Sequence, residues 1–284
     1  MEQFALNFAP DVMVLRPERL RKKIVEKLKN AVEAYEESNM ENTITINKIT
    51  LDSLIFFYFG FTLDEDFDYI LNRIVEKAYG DATNQGAFNT KADSGKAQMA
   101  KYGENGSLSI MIERLQILKN ENRIKFDEWH SETCDQLVKK YEENGFKKIF
   151  NYGNAQKWVN MSLKYIYLLN GISKNYAEAF LEETSKICRY SKEFHIPIDS
   201  YIIDELWRVE GVKLPFKGGV EKDRTYPYVT PSEYIEGWSN WHDKDYNEMR
   251  KSLCDRKKDD HMKWESEHWI KRAKERKRKN NKNK

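Results

Sequence analysis

Two lysines in one segment and one aspartate further along the chain are the residues whose types and spacing suit covalent chemistry. Lys157 and Lys164 lie seven residues apart within 153–170, which is apolar on most faces. A lysine attacks carbon only as a neutral amine, and burial among apolar side chains lowers the pKa of its ammonium group. Asp199 follows in HIPIDSYII, and a carboxylate can stabilise positive charge that develops nearby. Such chemistry requires the fold to bring these positions together.

The elements that carry these residues can be read from the local pattern. The continuous apolar character of 153–170 is typical of a centrally buried helix. Lys157, Asn160 and Lys164 lie three and four residues apart, so a helix places them on one polar stripe. Asp199 follows a Pro-Ile pair and can cap the helix after it. We therefore expect a polar stripe on a buried helix and a carboxylate at the start of a second helix.

The order of these features resembles the helix-hairpin-helix DNA glycosylase superfamily, and its archaeal 8-oxoguanine glycosylase branch looks most similar. The shared features are a lysine that opens a buried helix, a second lysine seven residues later, and a downstream Ile-Pro-x-Asp segment whose aspartate begins the next helix. They span residues 151–209, a small part of the chain. The resemblance implies an all-α fold in which two helical lobes enclose a cleft, followed here by an extended basic C-terminal helix.

By this resemblance Asp199 is the catalytic carboxylate, and Lys157 is the amine that attacks C1′ of the deoxyribose. Breaking the glycosidic bond builds positive charge on the sugar, and a nearby carboxylate stabilises it. Either Lys157 forms a Schiff base or Asp199 activates water, and Lys164 is an alternative amine. The chain departs from the family in having one glycine in the turn 151–154 and a longer separation between the lysine and the aspartate.

The resemblance also implies a turn that binds a DNA phosphate and aromatic side chains that stack on a flipped base. The residues assigned to these contacts are Asn151, Tyr152, Gly153, Asn154, Trp158, Asn160, Lys164, His195 and Tyr201. Each has a purely structural alternative. The aromatic residues can belong to the core and His195 to a satisfied loop, while Asp199 can be only a helix cap and Lys157 only a snorkelling side chain.

The composition favours helices with one face in water. Glycine and proline are scarce, at 13 and 6 residues of 284, while 40% of residues are hydrophobic and 33% are charged. Mean hydropathy is −0.82. A doubly wound sheet, a sandwich or a propeller is therefore not expected. No apolar run approaches the roughly 20 residues of a membrane span and no signal-peptide pattern is visible, so we expect a cytoplasmic protein without membrane contact.

Basic charge is concentrated at the C-terminal end. Residues 271–284 hold nine Lys or Arg and one Glu, whereas the whole chain carries a net charge of only +2. Such a segment suits a polyanion, and a solvated helix end is an equally good interpretation. We accordingly divide the chain into a helical glycosylase-like domain, 1–230, and a charged, tryptophan-rich helical extension, 231–284.

The remaining elements follow from apolar periodicity and capping residues. We predict helices over 17–38, 51–61, 63–78, 107–118, 126–143 and 175–190, with a buried strand as the alternative over 51–61. We also predict a short strand within 43–50, a long loop over 80–107, and a helical segment from 231 onward. Thr62 and Ser107 are the expected caps of the third and fourth of these helices.

Other kinds of site have weaker support. His261, Glu265 and His268 share a helical face, and a solvated charged face explains them better than a metal site does. The three cysteines are widely spaced with no CxxC pair, which argues against a disulfide framework and a zinc knuckle. The chain has no complete P-loop, GxSxG or HExxH motif. No cofactor is expected.

The sequence thus predicts a DNA glycosylase that flips out a modified base and leaves an abasic site. The base is an oxidised purine or, as in the phage-defence glycosylases that this chain is also similar to, a bulky glucosylated hydroxymethylcytosine. DNA is the expected partner, with no membrane and no obligate protein partner. The alternative is a non-enzymatic helical protein that holds nucleic acid or a partner through its C-terminal segment.

Overall fold

The computed structural model describes residues 48–83, 100–103, 105–146, 149–174, 177–217, 235–256 and 260–282, together with 22, 25–27 and 29–30. The chain divides into two compact units, residues 1–58 and residues 59–284. In the first unit the described residues are helical. The predicted boundary at residue 230 lies within the second unit, in a stretch outside the described residues.

The second unit is built from helices. Those with both ends described are α1 (Phe67–Thr83), α2 (Ser107–Asn120), α3 (Phe126–Glu143), α4 (Tyr152–Ser173), α5 (Glu178–Cys188), α6 (Ser200–Arg208), the 3-10 helix Trp238–Asn240, α7 (Asp243–Arg256) and α8 (His261–Lys282). The described residues include one isolated β-bridge, Phe216 with Ile235, and no β-strand. The all-α prediction is confirmed. None of the described helices is both long and apolar enough to cross a bilayer.

Helix α4 lies at the centre of this unit and packs against α1, α3, α5, α7 and the 3-10 helix. Its side chains Trp158, Val159 and Ile166 are fully buried, because apolar residues occupy most faces of the helix. The Trp158 indole N–H donates to the Val75 carbonyl of α1 at 2.9 Å, so its polar atom is satisfied inside the core. The predicted central helix is confirmed.

The end of α3 and the start of α6 agree with the positions predicted from the sequence. Helix α3 occupies the predicted range and ends at Asn144 and Gly145, where glycine adopts a left-handed φ of +87°. Helix α6 begins as predicted after Asp199, whose carboxylate accepts from the backbone N–H groups of Tyr201 and Ile202 at 2.9 and 3.0 Å. Both boundaries depend on residues adjacent to the helix end, which sequence alone reveals.

Helix α1 begins and ends later than predicted. Asp66, rather than Thr62, caps it, since its carboxylate accepts from the backbone N–H groups of Asp68 and Tyr69. The Thr62 hydroxyl instead donates to the Asp64 carboxylate at 2.5 Å. The run of acidic residues offers several competing caps, and the apolar side chains that must face the core select between them.

The predicted helical segment from residue 231 onward is divided into several elements. Its described residues form the 3-10 helix, α7 and α8 in succession. Helix α8 packs against α6. Several predicted elements fall largely or partly outside the described residues, namely the helix over 17–38, the strand within 43–50, the loop over 80–107 and the start of the segment at 231.

Candidate functional site

The fold brings Lys157 and Asp199 into one cluster of charged side chains, which we call the lysine cluster, although 42 positions separate them in the sequence. Burial lowers the pKa of the Lys157 ammonium group, while the negative charges of Asp199, Asp81 and Glu265 act in the opposite direction. Lys164 adds a further lowering effect. These groups come from α1, α4, α8 and the start of α6, so tertiary packing alone assembles the cluster.

The ammonium group of Lys157 lies over an aromatic ring. Its Nζ is 4.4 Å from the ring centroid of Trp238, within the range of a cation–π interaction. Within the described part of the chain, Lys157 makes no hydrogen bond and no ion pair. A half-buried lysine whose charge is disfavoured and whose amine is uncommitted is a candidate functional group.

The carboxylate of Asp199 is held by three N–H groups. One oxygen accepts the two backbone donors at the start of α6, and the other accepts the indole N–H of Trp269 at 2.8 Å. Trp269 belongs to α8 and also packs on Tyr201, with ring centroids 5.4 Å apart. These contacts fix the orientation of the carboxylate.

The second lysine of α4 is committed to an ion pair. Lys164 Nζ lies 2.5 Å from an oxygen of Glu265, whose side chain is almost fully buried. Burial raises the pKa of Glu265, and the nearby Lys164 opposes that shift. A lysine paired with a buried carboxylate is a poorer nucleophile than an unpaired one, so the geometry favours Lys157 as the reactive amine.

The turn before α4 is covered by the chain's own backbone. The Gly153 N–H donates to the Trp241 carbonyl at 3.0 Å, and the Asn151 side chain donates to the Ser239 carbonyl at 3.1 Å. A Cβ on Gly153 would lie 1.8 Å from the Trp238 carbonyl oxygen, so close backbone approach requires glycine here. Asn154 accepts from the Asn151 N–H as part of a capping box. In the structure this turn forms a packing contact between α4 and the 3-10 helix, and its predicted contact with a DNA phosphate stays a prediction.

Most of the predicted base-contacting residues lie in the interior. Tyr152, Trp158 and Asn160 are buried, and the Asn160 amide donates to the Ile196 carbonyl and to the Tyr246 oxygen at 2.9 and 3.0 Å. Their enclosure by other helices fits the core interpretation rather than stacking on a flipped base. Tyr201, at the first turn of α6, stays half-buried beside Asp199 and remains at the edge of the cluster.

His195 belongs to a different polar network. Its Nε2 lies 3.1 Å from Asp127 and its Nδ1 3.1 Å from the Tyr246 hydroxyl. Burial lowers the pKa of His195 to about 4, so the imidazole is neutral, donating from Nε2 to Asp127 and accepting at Nδ1. The Asn160 carbonyl accepts from His130 at 2.9 Å, which extends the network toward the core.

A cavity of about 220 Å³ adjoins this network and is lined by His195, Asp127, Tyr246 and Arg250 among other residues. An Arg250 Nη atom donates to the Asp127 carboxylate at 2.5 Å. Both imidazole nitrogens of His195 already have hydrogen-bond partners within the protein, namely Asp127 and Tyr246. The network holds the backbone before Asp199 through the Ile196 carbonyl, and it lines a cavity that the lysine cluster does not share.

Sequence analysis missed the aromatic and acidic partners of the cluster. Trp238 and Trp269 lie in the segment that we assigned to a separate extension, and Glu265 was considered only with two histidines. Among the described residues, no group of three or more His, Cys, Asp or Glu side chains is placed to hold a metal ion. The concentration of tryptophan in a highly charged segment was the available signal, because such residues are more often packed than exposed.

Comparison with protein-family models, with curated proteins and with solved structures gave no match to this chain.

Proposed function

We propose that this protein is a DNA glycosylase that removes a modified base, with Lys157 and Asp199 as its catalytic residues. The observation that carries the proposal is the approach of Asp199 to a lysine whose charge is disfavoured by burial and whose amine is uncommitted. An amine nucleophile and a carboxylate in one cluster match the needs of a reaction that builds positive charge on a sugar.

The chemistry follows from these two groups. The neutral Lys157 amine forms a bond to C1′ as the C1′–N bond breaks, and the departing base keeps the electron pair and takes up a proton released by the amine. The Asp199 carboxylate stabilises the positive charge that develops on the deoxyribose. The C1′–O4′ bond of this intermediate then breaks, and the remaining amine proton passes to O4′, which gives an imine between C1′ and Lys157. Elimination of the 3′ phosphate from the imine gives strand cleavage, whereas addition of water restores the amine and leaves an abasic site.

Trp238 is the residue that a substrate must meet first. Its ring covers the Lys157 ammonium group, and it is held by the contact between the 3-10 helix and the turn before α4. A flipped base that reaches Lys157 either replaces this ring or stacks on it after a shift of the 3-10 helix. The base removed is an oxidised purine or a glucosylated hydroxymethylcytosine, in keeping with a cytoplasmic role in base excision or antiviral defence.

The test measures abasic sites directly. The protein is incubated in chelator with genomic DNA that carries natural and phage-type modified bases, and an aldehyde-reactive probe scores the products. We expect abasic sites with the wild type and none with Asp199→Asn. Asp66→Asn is the matched control, because Asp66 caps α1 through the same pair of backbone contacts but lies outside the cluster. Equal activity in Asp199→Asn and wild type would refute the proposal.

Borohydride trapping separates the roles of the two lysines. A covalent adduct with DNA is expected in the wild type and in Lys164→Met, and it should disappear in Lys157→Met. An adduct that survives in Lys157→Met and vanishes in Lys164→Met would assign the nucleophile to Lys164. Tight DNA binding without abasic sites on any substrate would instead favour the non-enzymatic binding protein.

A further inference from the structure

The C-terminal half of α8 has one face docked on the protein and another that carries unpaired positive charge. On the docked face, Arg272 pairs with Glu205 at 2.5 Å and with Asp204 at 3.3 Å. On the other face, Lys274, Lys277 and Arg278 are exposed. These three cations make no ion pair or hydrogen bond within the described residues. The helix therefore holds free positive charge in a fixed position.

The spacing of the three cations places them together. Lys277 and Arg278 follow Lys274 by three and four residues, so all three project from one side of the helix. Like charges at these spacings repel one another and weaken the helix by a few tenths of a kcal/mol per pair. An anionic partner that binds all three removes this repulsion. We call Lys274, Lys277 and Arg278 the cationic face of α8.

The cationic face lies a few nucleotide spacings from the lysine cluster along the axis of α8. Trp269, five residues before Lys274 on the same helix, donates to Asp199. At about 1.5 Å of rise per residue, Lys274 and Arg278 lie roughly 8 and 14 Å beyond Trp269 along the helix axis. One DNA strand advances about 3.4 Å per nucleotide, so these distances correspond to about two to four nucleotides. Because the cationic face and the docked face lie on different sides of α8, a strand whose flipped nucleotide meets Asp199 reaches the cationic face where its neighbouring phosphates pass around the side of the helix.

We infer that the cationic face of α8 binds the DNA backbone next to the excised nucleotide. The inference rests on the proposed function for the location of that nucleotide, and it names a surface that the reaction itself does not require. The partner is a phosphate backbone of either strand, bound without regard to sequence, because lysine and arginine ammonium and guanidinium groups neutralise phosphates one by one.

The salt dependence of binding tests this inference. The full chain is titrated with a fluorescent unmodified duplex of about 20 base pairs at several salt concentrations, at a length that covers the expected contacts. The variant is Lys274→Gln/Lys277→Gln/Arg278→Gln. The control, Lys139→Gln/Lys244→Gln/Lys251→Gln, removes the same charge from exposed positions on α3 and α7. Glutamine keeps the helix propensity of lysine, so both variants should fold.

Three lost phosphate contacts should reduce the slope of log K against log salt by about 2.7, at roughly 0.9 per contact. The control variant should keep the wild-type slope. An unchanged slope in the α8 variant, an equal loss in the control, or no binding by the wild type would overturn the inference. If the wild type forms abasic sites but the α8 variant keeps the wild-type slope, the phosphate-binding role of the cationic face is refuted and the glycosylase proposal is not. If the α8 variant has the reduced slope but the wild type forms no abasic sites, the glycosylase proposal is refuted and the binding of DNA by the cationic face is supported.

Discussion

At the residue scale, the orientation of the Asp199 carboxylate depends on a single side chain outside its own helix. The two backbone donors at the start of α6 occupy one oxygen, and the Trp269 indole occupies the other. Trp269 is therefore a positioning residue for the proposed reaction. Sequence reasoning identifies Asp199 as a cap from its neighbours, but it does not reveal a donor that is 70 residues away.

Trp269→Phe should separate this hydrogen bond from the packing of the ring. The variant keeps most of the aromatic contact with Tyr201 but loses the N–H group, and hydrogen bonds to charged groups contribute about 1.5–3 kcal/mol. We expect the free energy of unfolding in urea to fall by that amount. Trp129→Phe is the control, since its indole donates to a neutral carbonyl, that of Arg114, and should cost only about 1 kcal/mol. If both variants lose the same free energy of unfolding, the Trp269 indole does not donate to a charged carboxylate.

The buried histidines make stability depend on pH. Burial lowers the pKa of His195 to about 4 and also lowers that of His130. The unfolded chain therefore binds more protons than the folded protein between about pH 6.5 and pH 4, and stability falls as the pH falls through that range. The titratable and charged groups that face His195 are Asp127, Arg250, Tyr246, His130 and His261. The pKa of Asp127 is held below its usual range, first by its hydrogen bond with His195, so it titrates at lower pH.

Urea unfolding at pH 7.5, 6.0 and 5.0 measures this effect. A pKa lowered from 6.5 to about 4 corresponds to roughly 3 kcal/mol for His195 when the full range is crossed. His195→Asn should flatten the profile, whereas His242→Asn, at an exposed position, should not. A wild-type stability that is constant from pH 7.5 to pH 5.0 would contradict the neutral, buried state of both histidines.

At the scale of elements, the contact between α4 and the 3-10 helix depends on one glycine. Gly153 lets the Trp238 carbonyl approach the backbone of α4, and Trp238 in turn covers Lys157. Gly171 lies in the same helix with nothing near the position of a Cβ. The two glycines thus have opposite structural roles, although the sequence presents both simply as glycines in a helix.

Gly153→Ala and Gly171→Ala form a matched pair. The first should destabilise the protein by about 2 kcal/mol or more, because the added methyl group must push the 3-10 helix away. The second should stabilise it by about 0.5–1 kcal/mol, because alanine favours helix. Thermal unfolding followed by circular dichroism gives both values. If the two variants melt at the same temperature, the Trp238 carbonyl does not approach Gly153 as closely as described here.

At the scale of the whole molecule, the C-terminal segment belongs to the same compact unit as the central helix. It supplies Trp238, Glu265 and Trp269 to the lysine cluster, and its Arg272 neutralises Glu205, which is fully buried. A charged sequence end is therefore not only a solvated tail. Its first part completes the structure, and its exposed cations remain available for a partner.

Truncation after residue 256 should show this dependence. Loss of α8 removes the ion-pair partners of Glu205 and Lys164, and removing one partner of a buried ion pair costs about 3–5 kcal/mol. Asp199 keeps its two backbone donors but loses the Trp269 indole. We expect the truncated chain to lose cooperative thermal unfolding. Truncation after residue 278 leaves the docked part of α8 in place and serves as the control. A truncated chain at 256 that melts cooperatively near the wild-type temperature would show that the segment is a separable extension.

The sequence by itself determined the helical class, the central helix α4, the full extent of α3 and the cap at Asp199. Each of these depends on residues within a few positions of one another, where periodicity and capping chemistry act locally. Only the tertiary structure decided which lysine is uncommitted, which carboxylates surround it and which turns are covered. Those outcomes depend on side chains far apart in the sequence, whose burial and pairing are fixed when the helices pack, and no local pattern encodes that packing.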